Sequence, residues 1–139
     1  TLSLRMQRHS DNALKIASWL EEQETVEAVT YAGLKSSPYF DRVKKVCPKG
    51  AGGLFTVALK GGYDSCVKFV NALEIFSHVA NLGDSRSLVI HTASTTHRQL
   101  TVEQQIAAGS APNVVRISIG IEDPEDLIAD LKQALSAAK

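Results

Sequence analysis

The stretch from Asn81 to Leu100 reads NLGDSRSLVIHTASTTHRQL. Ser87 to His91 predicts a short buried strand, because three of its five residues are branched aliphatics. Gly83 and Asp84 favour a turn before this strand. Hydroxyl and imidazole side chains follow it from Ser94 to His97, which is too polar for a plain strand end. A buried strand with polar residues at both ends is typical of the rim of a binding site.

A second strand is predicted from Val114 to Gly120, with the sequence VVRISIG, and it is the expected partner of the first. Aliphatic residues at alternate positions share one face of this strand, while Arg116 and Ser118 share the other. An arginine inside an aliphatic strand requires an anion, because burying a lone charge is costly. The sequence therefore predicts either a ligand carboxylate or an internal acidic partner, Glu122 or Asp123, at Arg116.

The composition is that of a single soluble domain. The chain has 139 residues, is 44% hydrophobic, and carries 15 basic and 15 acidic residues. This balance gives no reason to expect nucleic acid or an anionic membrane as a partner. No apolar run approaches the ~20 residues of a membrane helix, and Thr1 to Leu20 does not resemble a signal peptide. Cys47 and Cys66 lack metal-ligand spacing, and we expect reduced thiols in a cytoplasmic protein.

Hydrophobic periodicity predicts helices and strands that alternate along the chain. The predicted helices are Leu2 to Glu22, Tyr39 to Val46, Tyr63 to Leu73, Thr101 to Ala107, and a last one that carries the apolar stripe Leu127 to Leu135. The strands are Val26 to Ala32, Leu54 to Leu59 and the two described above. This order predicts an α/β (α+β-like) two-layer sandwich, a small, mostly antiparallel sheet with helices packed on one face.

Polar residues at the helix ends are assigned to capping. Thr101 and Gln104 fit a capping box. Asp123 is a good N-cap with Pro124 at the first helical position, so the acidic cluster that follows is interpreted as capping and not as a metal site. The glycine-rich run Cys47 to Gly53 precedes a strand, whereas a phosphate-binding loop precedes a helix, and it predicts a turn with close backbone contact.

Two motifs resemble the C-terminal domain of the pyridoxal-phosphate enzymes of cysteine and methionine metabolism, the trans-sulfuration family. The family pattern is roughly S-L-G-x-x-x-S-L-x-x-H-P-A-S-x-T-H, followed by a strand reading V-R-L-S-V-G-x-E-D. The matching residues here are Asn81-Leu82-Gly83, Ser87-Leu88, His91 to His97 and Val115 to Asp123. Thr92 stands where the family has proline. The resemblance runs from Leu2 to Ala138, and Thr95 to Leu100 is most similar to the O-acetylhomoserine sulfhydrylase branch.

The resemblance implies that residues 1–139 are the C-terminal substrate-binding domain of a fold-type-I enzyme, with 1–22 as the end of an inter-domain helix. The large cofactor domain would then be missing, in agreement with a first residue, Thr1, that is not methionine. The implied partners of residues 1–139 are the large cofactor domain of the same protein and further copies of that protein in a homotetramer. Pyridoxal phosphate is the implied cofactor of the full-length enzyme. This chain carries no lysine in the context of the cofactor-binding lysine, so it should lack catalytic, cofactor-binding and metal residues and be inactive alone.

The resemblance also assigns the binding residues. Arg116 and Ser87 would bind the α-carboxylate of an amino-acid substrate, assisted by the backbone amide of Leu88. Ser94 and Thr96 would line the mouth of the pocket. A Ser-His catalytic triad around His91 is possible from residue types alone, but no nucleophile motif supports it.

The implied activity of the parent enzyme is a transferase reaction of methionine biosynthesis. It makes homocysteine or methionine from O-acetylhomoserine and sulfide or a thiol. Cystathionine γ-synthase and methionine γ-lyase are the alternatives within the family. A stand-alone amino-acid-binding module is the alternative from a different class.

Overall fold

The computed structural model describes residues 1–139 and contains five α-helices and five strands. The helices are α1 (Leu2–Glu21), α2 (Phe40–Val46), α3 (Gly62–Ala72), α4 (Val102–Ala107) and α5 (Pro124–Ala137). The strands are β1 (Val26–Thr30), β2 (Leu54–Leu59), β3 (Ser77–His78), β4 (Leu88–Ile90) and β5 (Val114–Ser118), and a 3-10 turn covers Thr92–Ser94.

The five strands form one sheet in the order β1-β2-β5-β4-β3. β5 lies at its centre, antiparallel to β2 on one side and to β4 on the other. β1 is antiparallel to β2, and only β3 and β4 run parallel. The predicted pairing of the Arg116 strand with the strand around Val89 is therefore confirmed, as is the mostly antiparallel sheet. The two-residue edge strand β3 was not predicted, because it is too short to show an alternating pattern.

Three helices pack on one face of the sheet, as predicted. α1, α3 and α5 share a cluster of 23 buried hydrophobic residues with that face. The fully buried residues of this cluster include Ile16 from α1, Phe69 from α3 and Leu131 from α5. The sheet contributes Phe55, Val57, Val89, Val115 and Ile117. Truncating one of the larger core side chains to alanine costs roughly 2–5 kcal/mol, so this layer fixes which way the strands face.

The opposite face of the sheet carries the predicted arginine. Strand pairing aligns Thr30, Thr56, Arg116 and Ile90 in one row across four strands. Thr30 is exposed, Thr56 and Arg116 are half-buried, and Ile90 is buried, so the face is open on the β1–β2 side of Arg116. The alternation of side chains along β5 thus separates the aliphatic core from the charged residue.

The first turns of α1 lie outside the core. Leu2 and Leu4 are 65% and 75% exposed, and Met6 is 38% exposed. The apolar stripe further along the helix is fully buried and includes Ile16 and Leu20. The sequence prediction that the start of this helix has no packing partner within the chain is therefore confirmed.

The glycine-rich loop packs closely against its neighbours, as expected. The Gly52 amide donates to the Ser10 hydroxyl at 3.2 Å, and the Gly53 carbonyl accepts from the Ile119 amide at 2.8 Å. A Cβ atom on Gly53 would lie 3.0 Å from the Ile119 carbonyl oxygen. The loop precedes β2 and is hydrogen-bonded to α1 on one side and to the residue that follows β5 on the other.

The predicted caps are present. The Thr101 hydroxyl accepts from the Gln104 amide, and the Gln104 side chain accepts from the Thr101 amide, which completes the capping box of α4. The Asp123 carboxylate accepts from the Glu125 amide at 2.8 Å at the start of α5. These bonds satisfy amides that have no partner inside the helix.

A buried carboxylate fastens the loop after α3 to α5. Asp130 is 6% exposed, and its oxygens accept from the amides of Glu74 at 3.0 Å and Ile75 at 2.8 Å. We expect Asp130→Asn to lower the free energy of unfolding by about 1.5–3 kcal/mol, because a neutral amide loses the charge-assisted bonds and directs N–H groups at backbone donors. Urea unfolding measures this change.

The matched control is Asp126→Asn, one turn earlier on the same helix. Asp126 is exposed, and no hydrogen bond engages its side chain. Its substitution should change the free energy of unfolding by less than about 0.5 kcal/mol. If the two variants lose equal free energy of unfolding, the hydrogen bonds of Asp130 contribute no stability beyond that of its negative charge.

Thr92 provides a stabilising prediction. It is 5% exposed, and its hydroxyl has no hydrogen-bond partner. The preceding residue, His91, is extended with φ −88° and ψ 95°, outside the helical region that a following proline disfavours, and Thr92 opens the 3-10 turn. Thr92→Pro should raise the free energy of unfolding by about 1 kcal/mol, by restricting the unfolded chain and removing an unsatisfied hydroxyl.

Thr92→Val is the control, because it removes the hydroxyl and leaves the backbone as free as before. Thermal unfolding of both variants separates the two contributions. If proline destabilises the chain while valine stabilises it, the turn cannot accept the fixed ring, and the backbone part of the prediction is wrong.

Candidate functional site

Arg116 lies at the centre of the open sheet face. Its strand neighbours are Thr56 on β2 and Ile90 on β4. The only hydrogen bond of the guanidinium is a weak one, from Nη2 to the backbone carbonyl oxygen of Asn81 at 3.5 Å. No carboxylate lies within 4.0 Å of it, since the ion pairs of the chain are Lys15–Glu125 and Arg86–Asp84. A half-buried guanidinium is therefore left with donors for an external anion.

The two acidic residues that could neutralise Arg116 are engaged elsewhere. The Glu122 carboxylate accepts from the Ser87 amide at 2.6 Å and from the Ser87 hydroxyl at 2.9 Å. Asp123 caps α5. The alternative of an internal ion pair at Arg116 is therefore not what the structure contains.

Ser87 and Leu88 are buried at the start of β4. Ser87 is fully buried, and its hydroxyl donates to Glu122 and accepts from the Gly120 amide at 2.9 Å. Leu88 is 1% exposed and is paired with Ser77 and Ser118 inside the sheet. No hydrogen bond joins Ser87 or Leu88 to Arg116. Direct contact between these two residues and a substrate remains a prediction, and it would require the Ser87 hydroxyl to exchange a partner.

Asn81 contacts Arg116, a role that the sequence analysis did not assign to it. It is exposed, its carbonyl oxygen faces the guanidinium, and its side-chain oxygen accepts from the Leu82 amide at 2.9 Å. The contact is made by a backbone carbonyl, which leaves no trace in residue type. The available signal was its position, a polar residue directly before the turn at Gly83.

The turn between Asn81 and β4 contains the second arginine of this region. Arg86 is bound by Asp84, whose Oδ1 accepts from the Arg86 amide at 3.0 Å and lies 3.5 Å from its Nε. The Arg86 amide, followed by the Arg86 side chain, lowers the pKa of Asp84. Arg86 therefore has an anionic partner within the chain, whereas Arg116 has none.

Buried His91 and half-buried Ser94 are hydrogen-bonded to each other. His91 is 2% exposed, and its Nε2 lies 2.8 Å from the Pro112 carbonyl oxygen. Because a carbonyl only accepts, Nε2 carries the hydrogen there. Nδ1 lies 2.9 Å from the Ser94 hydroxyl, and the Tyr63 ring meets the imidazole edge-on. Both nitrogens are occupied and no carboxylate orients the ring, so these contacts provide no catalytic triad.

The loop after His91 is hydrogen-bonded to the side chain of Gln105 on α4. Gln105 is buried, and its side-chain amide donates to the carbonyl oxygens of Ala93 at 3.1 Å and His97 at 3.0 Å. Thr96 is exposed, and its hydroxyl lies 2.9 Å from His97 Nδ1. The expectation that Ser94 and Thr96 line a pocket mouth remains a prediction.

The two cysteines differ in burial. Cys66 is buried in the core, and burial raises its pKa to about 12, so it remains a thiol at neutral pH. Cys47 is exposed and free. No group of His, Cys, Asp and Glu side chains is arranged to hold a metal ion, and no helix has the length and apolar character needed to cross a membrane.

Comparison with known proteins adds independent information. Residues 1–136 match the family described as Cys/Met metabolism PLP-dependent enzyme. The chain is 49% identical to O-acetyl-L-homoserine sulfhydrylase 1 of Thermus thermophilus over 98% of its own length and 32% of that protein's. It is 41% identical to an L-methionine gamma-lyase of Treponema denticola, over 97% of the chain and 33% of the relative.

A solved structure shares the fold. It is a crystal structure assigned as an O-acetylhomoserine (thiol)-lyase of Campylobacter jejuni, with N'-pyridoxyl-lysine-5'-monophosphate in its chain. The TM-score is 0.90 at 41% sequence identity, over 96% of this chain and 32% of the other. This match confirms the predicted fold, and the chain spans about a third of the length of the relatives it matches. The chain belongs to the pyridoxal-phosphate-dependent enzymes of cysteine and methionine metabolism.

Proposed function

We propose that this chain is the C-terminal, substrate-binding domain of a longer pyridoxal-phosphate-dependent O-acetylhomoserine sulfhydrylase. That enzyme replaces the acetoxy group of O-acetylhomoserine with sulfide or a thiol, giving homocysteine or methionine and acetate. The observation that carries the proposal is the half-buried guanidinium of Arg116, which has no anionic partner in the chain. Identities of 45–49% to three O-acetyl-L-homoserine sulfhydrylases support the choice of reaction.

The role of Arg116 is to bind the α-carboxylate of the substrate. A guanidinium presents a planar fork of N–H donors that matches the two oxygens of a carboxylate. The Asn81 carbonyl oxygen contacts Nη2 and can orient the group without neutralising it. Binding at the carboxylate leaves the other end of the amino acid free to react, so its contribution is to position the substrate.

The residues of this chain do not fit a site for the cofactor itself. All lysines of the chain are exposed, and those that border cavities, such as Lys44 and Lys49, lie at open surface clefts. Pyridoxal phosphate, which would supply the electron sink for the substitution, is therefore assigned to the remainder of the longer protein. This division agrees with the lengths of the relatives, of which the chain covers about a third.

The other predicted residues have supporting roles in this proposal. Ser87 and Leu88 hold the start of β4 next to the carboxylate site, and Ser94 and Thr96 border its entrance. The exposed Leu2 and Leu4 form part of the contact with the large cofactor domain. Assembly into a homotetramer, in the cytoplasm, completes the proposal.

A methionine γ-lyase is the second candidate, favoured by 41% identity to the Treponema denticola enzyme. Both reactions use an amino acid whose carboxylate Arg116 would bind. Assays of the longer protein with O-acetylhomoserine, O-succinylhomoserine, O-phosphohomoserine and methionine distinguish these activities and cystathionine γ-synthesis. Turnover of O-acetylhomoserine with sulfide should be fastest.

The isolated chain should lack both the cofactor and the activity. Residues 1–139 alone should not retain pyridoxal phosphate after incubation and desalting, and should not turn over O-acetylhomoserine, because no lysine lies in a site for the cofactor. Visible absorbance and a homocysteine assay provide the measurements. Stoichiometric cofactor absorbance or measurable turnover would contradict the division of roles proposed here.

Substitution of Arg116 should impair the longer enzyme. Arg116→Lys keeps the charge and loses the planar fork, so kcat/KM for O-acetylhomoserine should fall about ten- to a hundredfold, since a charge-assisted hydrogen bond is worth ~1.5–3 kcal/mol. Arg116→Ala should lose more. Cofactor content should not change, and an amine without the α-carboxylate should react equally with the variant and the parent.

Arg42→Ala is the matched control, because Arg42 is an exposed arginine on α2. Its kcat/KM should remain within about twofold of the parent, a difference of roughly 0.4 kcal/mol. If Arg116→Ala also stays within this range, Arg116 does not bind the carboxylate and its role is structural.

A further inference from the structure

We infer that Glu122 is a positioning residue for the carboxylate site, an inference that rests on the proposed role of Arg116. The Glu122 carboxylate holds both polar groups of Ser87, accepting from the amide at 2.6 Å and from the hydroxyl at 2.9 Å. Glu122 and Ser87 are 35 residues apart in sequence. This pair of bonds therefore links the start of β4 to the segment that follows β5, and we call it the Glu122–Ser87 tether.

Two further contacts lie beside this tether. The Gly120 amide donates to the Ser87 hydroxyl at 2.9 Å, and the Ile121 amide donates to the Ser85 carbonyl oxygen at 2.9 Å. A Cβ atom on Gly120 would overlap the Glu122 carboxylate and the Ser85 carbonyl. The two segments are in direct backbone contact, and only glycine fits between them.

The far side of the tether is anchored to α1. The Asn12 side-chain amide donates to the Glu122 carbonyl oxygen at 2.9 Å, and His9 Nδ1 lies 2.6 Å from the Ile119 carbonyl oxygen. His9 and Asn12 are each 2% exposed. Buried bonds of this kind hold the backbone of Glu122 in place, so its carboxylate acts from a fixed point.

The tether affects the position of Arg116 through the segment from Asn81 to Arg86. This segment has no helix or strand, and it carries the Asn81 carbonyl that contacts the guanidinium. Its C-terminal end is held by the bonds of Ser87 to Glu122 and of Ser85 to Ile121. Loss of the Glu122 carboxylate should therefore free Asn81 to move away from Arg116 and widen the carboxylate site.

The test uses the longer holoenzyme with O-acetylhomoserine as substrate. Glu122→Ala should lower kcat/KM about tenfold, mainly through a higher KM. Cofactor content should be unchanged. Partial unfolding would give a different result, since it lowers the amount of active enzyme and hence the apparent kcat, with KM unaltered. Glu122→Gln keeps one acceptor for the Ser87 amide and should recover most of the loss, leaving KM about threefold above that of the parent.

A double variant tests whether Glu122 acts through Arg116. In the Arg116→Ala background, Glu122→Ala should cost less than about twofold more, because the group that it positions is gone. A purely structural role would give losses that multiply. Asp123→Ala is the matched control: it removes the neighbouring carboxylate and the cap of α5, should lower the thermal midpoint, and should leave KM within about twofold.

The outcomes separate the two proposals. If Arg116→Ala reduces kcat/KM strongly while Glu122→Ala and Glu122→Gln leave KM at the parent value, Glu122 is not a positioning residue. Multiplying losses in the double variant would also overturn the inference. If Arg116→Ala itself has no effect, the proposed function fails, and the inference about Glu122 fails with it. Should Glu122→Ala not fold, the KM of Glu122→Gln, expected to rise about threefold, decides the question.

Discussion

The structure depends on the position of β5 at the centre of the sheet, hydrogen-bonded on both sides. Its pairing with β2 and β4 fixes a register in which Val115 and Ile117 face the helices and Arg116 faces away. A slip by one residue would bury the guanidinium among aliphatic side chains and expose Ile117. The hydrophobic core therefore also determines which face of the sheet carries the Arg116 guanidinium. The exposure of that face follows from how the core is packed.

Once Arg116 faces outward, its availability depends on how the nearby carboxylates are used. Glu122 and Asp123 follow β5 closely enough that sequence alone allows either to pair with it. In the structure Asp123 caps α5 and Glu122 binds Ser87, so each carboxylate satisfies backbone amides instead. Amides at a helix start and beside an irregular segment need acceptors. Meeting that need within the chain leaves the guanidinium for an external anion.

Sequence reasoning succeeded where the signal is local. The alternation in β5, the capping box at Thr101 and the N-cap at Asp123 each depend on residues a few positions apart, and each is present. The bond between Glu122 and Ser87 spans 35 residues, and the contact of Arg116 with Asn81 uses a backbone carbonyl. Neither leaves a pattern of residue types, so the sequence predicted no bond between Ser87 and Glu122, and Asn81 was quoted in a motif without a role at Arg116.

The carboxylate site proposed at Arg116 would bind the part of the substrate that the related enzymes have in common. O-acetylhomoserine and methionine both carry the α-carboxylate, and the chain is 49% and 41% identical to enzymes named for reactions of these two amino acids. An interaction made equally with two substrates cannot discriminate between them, because specificity is a difference of affinities. In the proposed role, Arg116 would orient either amino acid at low entropic cost, because its strand is fixed. The proposal therefore assigns the choice of leaving group to residues that would contact the opposite end of the substrate.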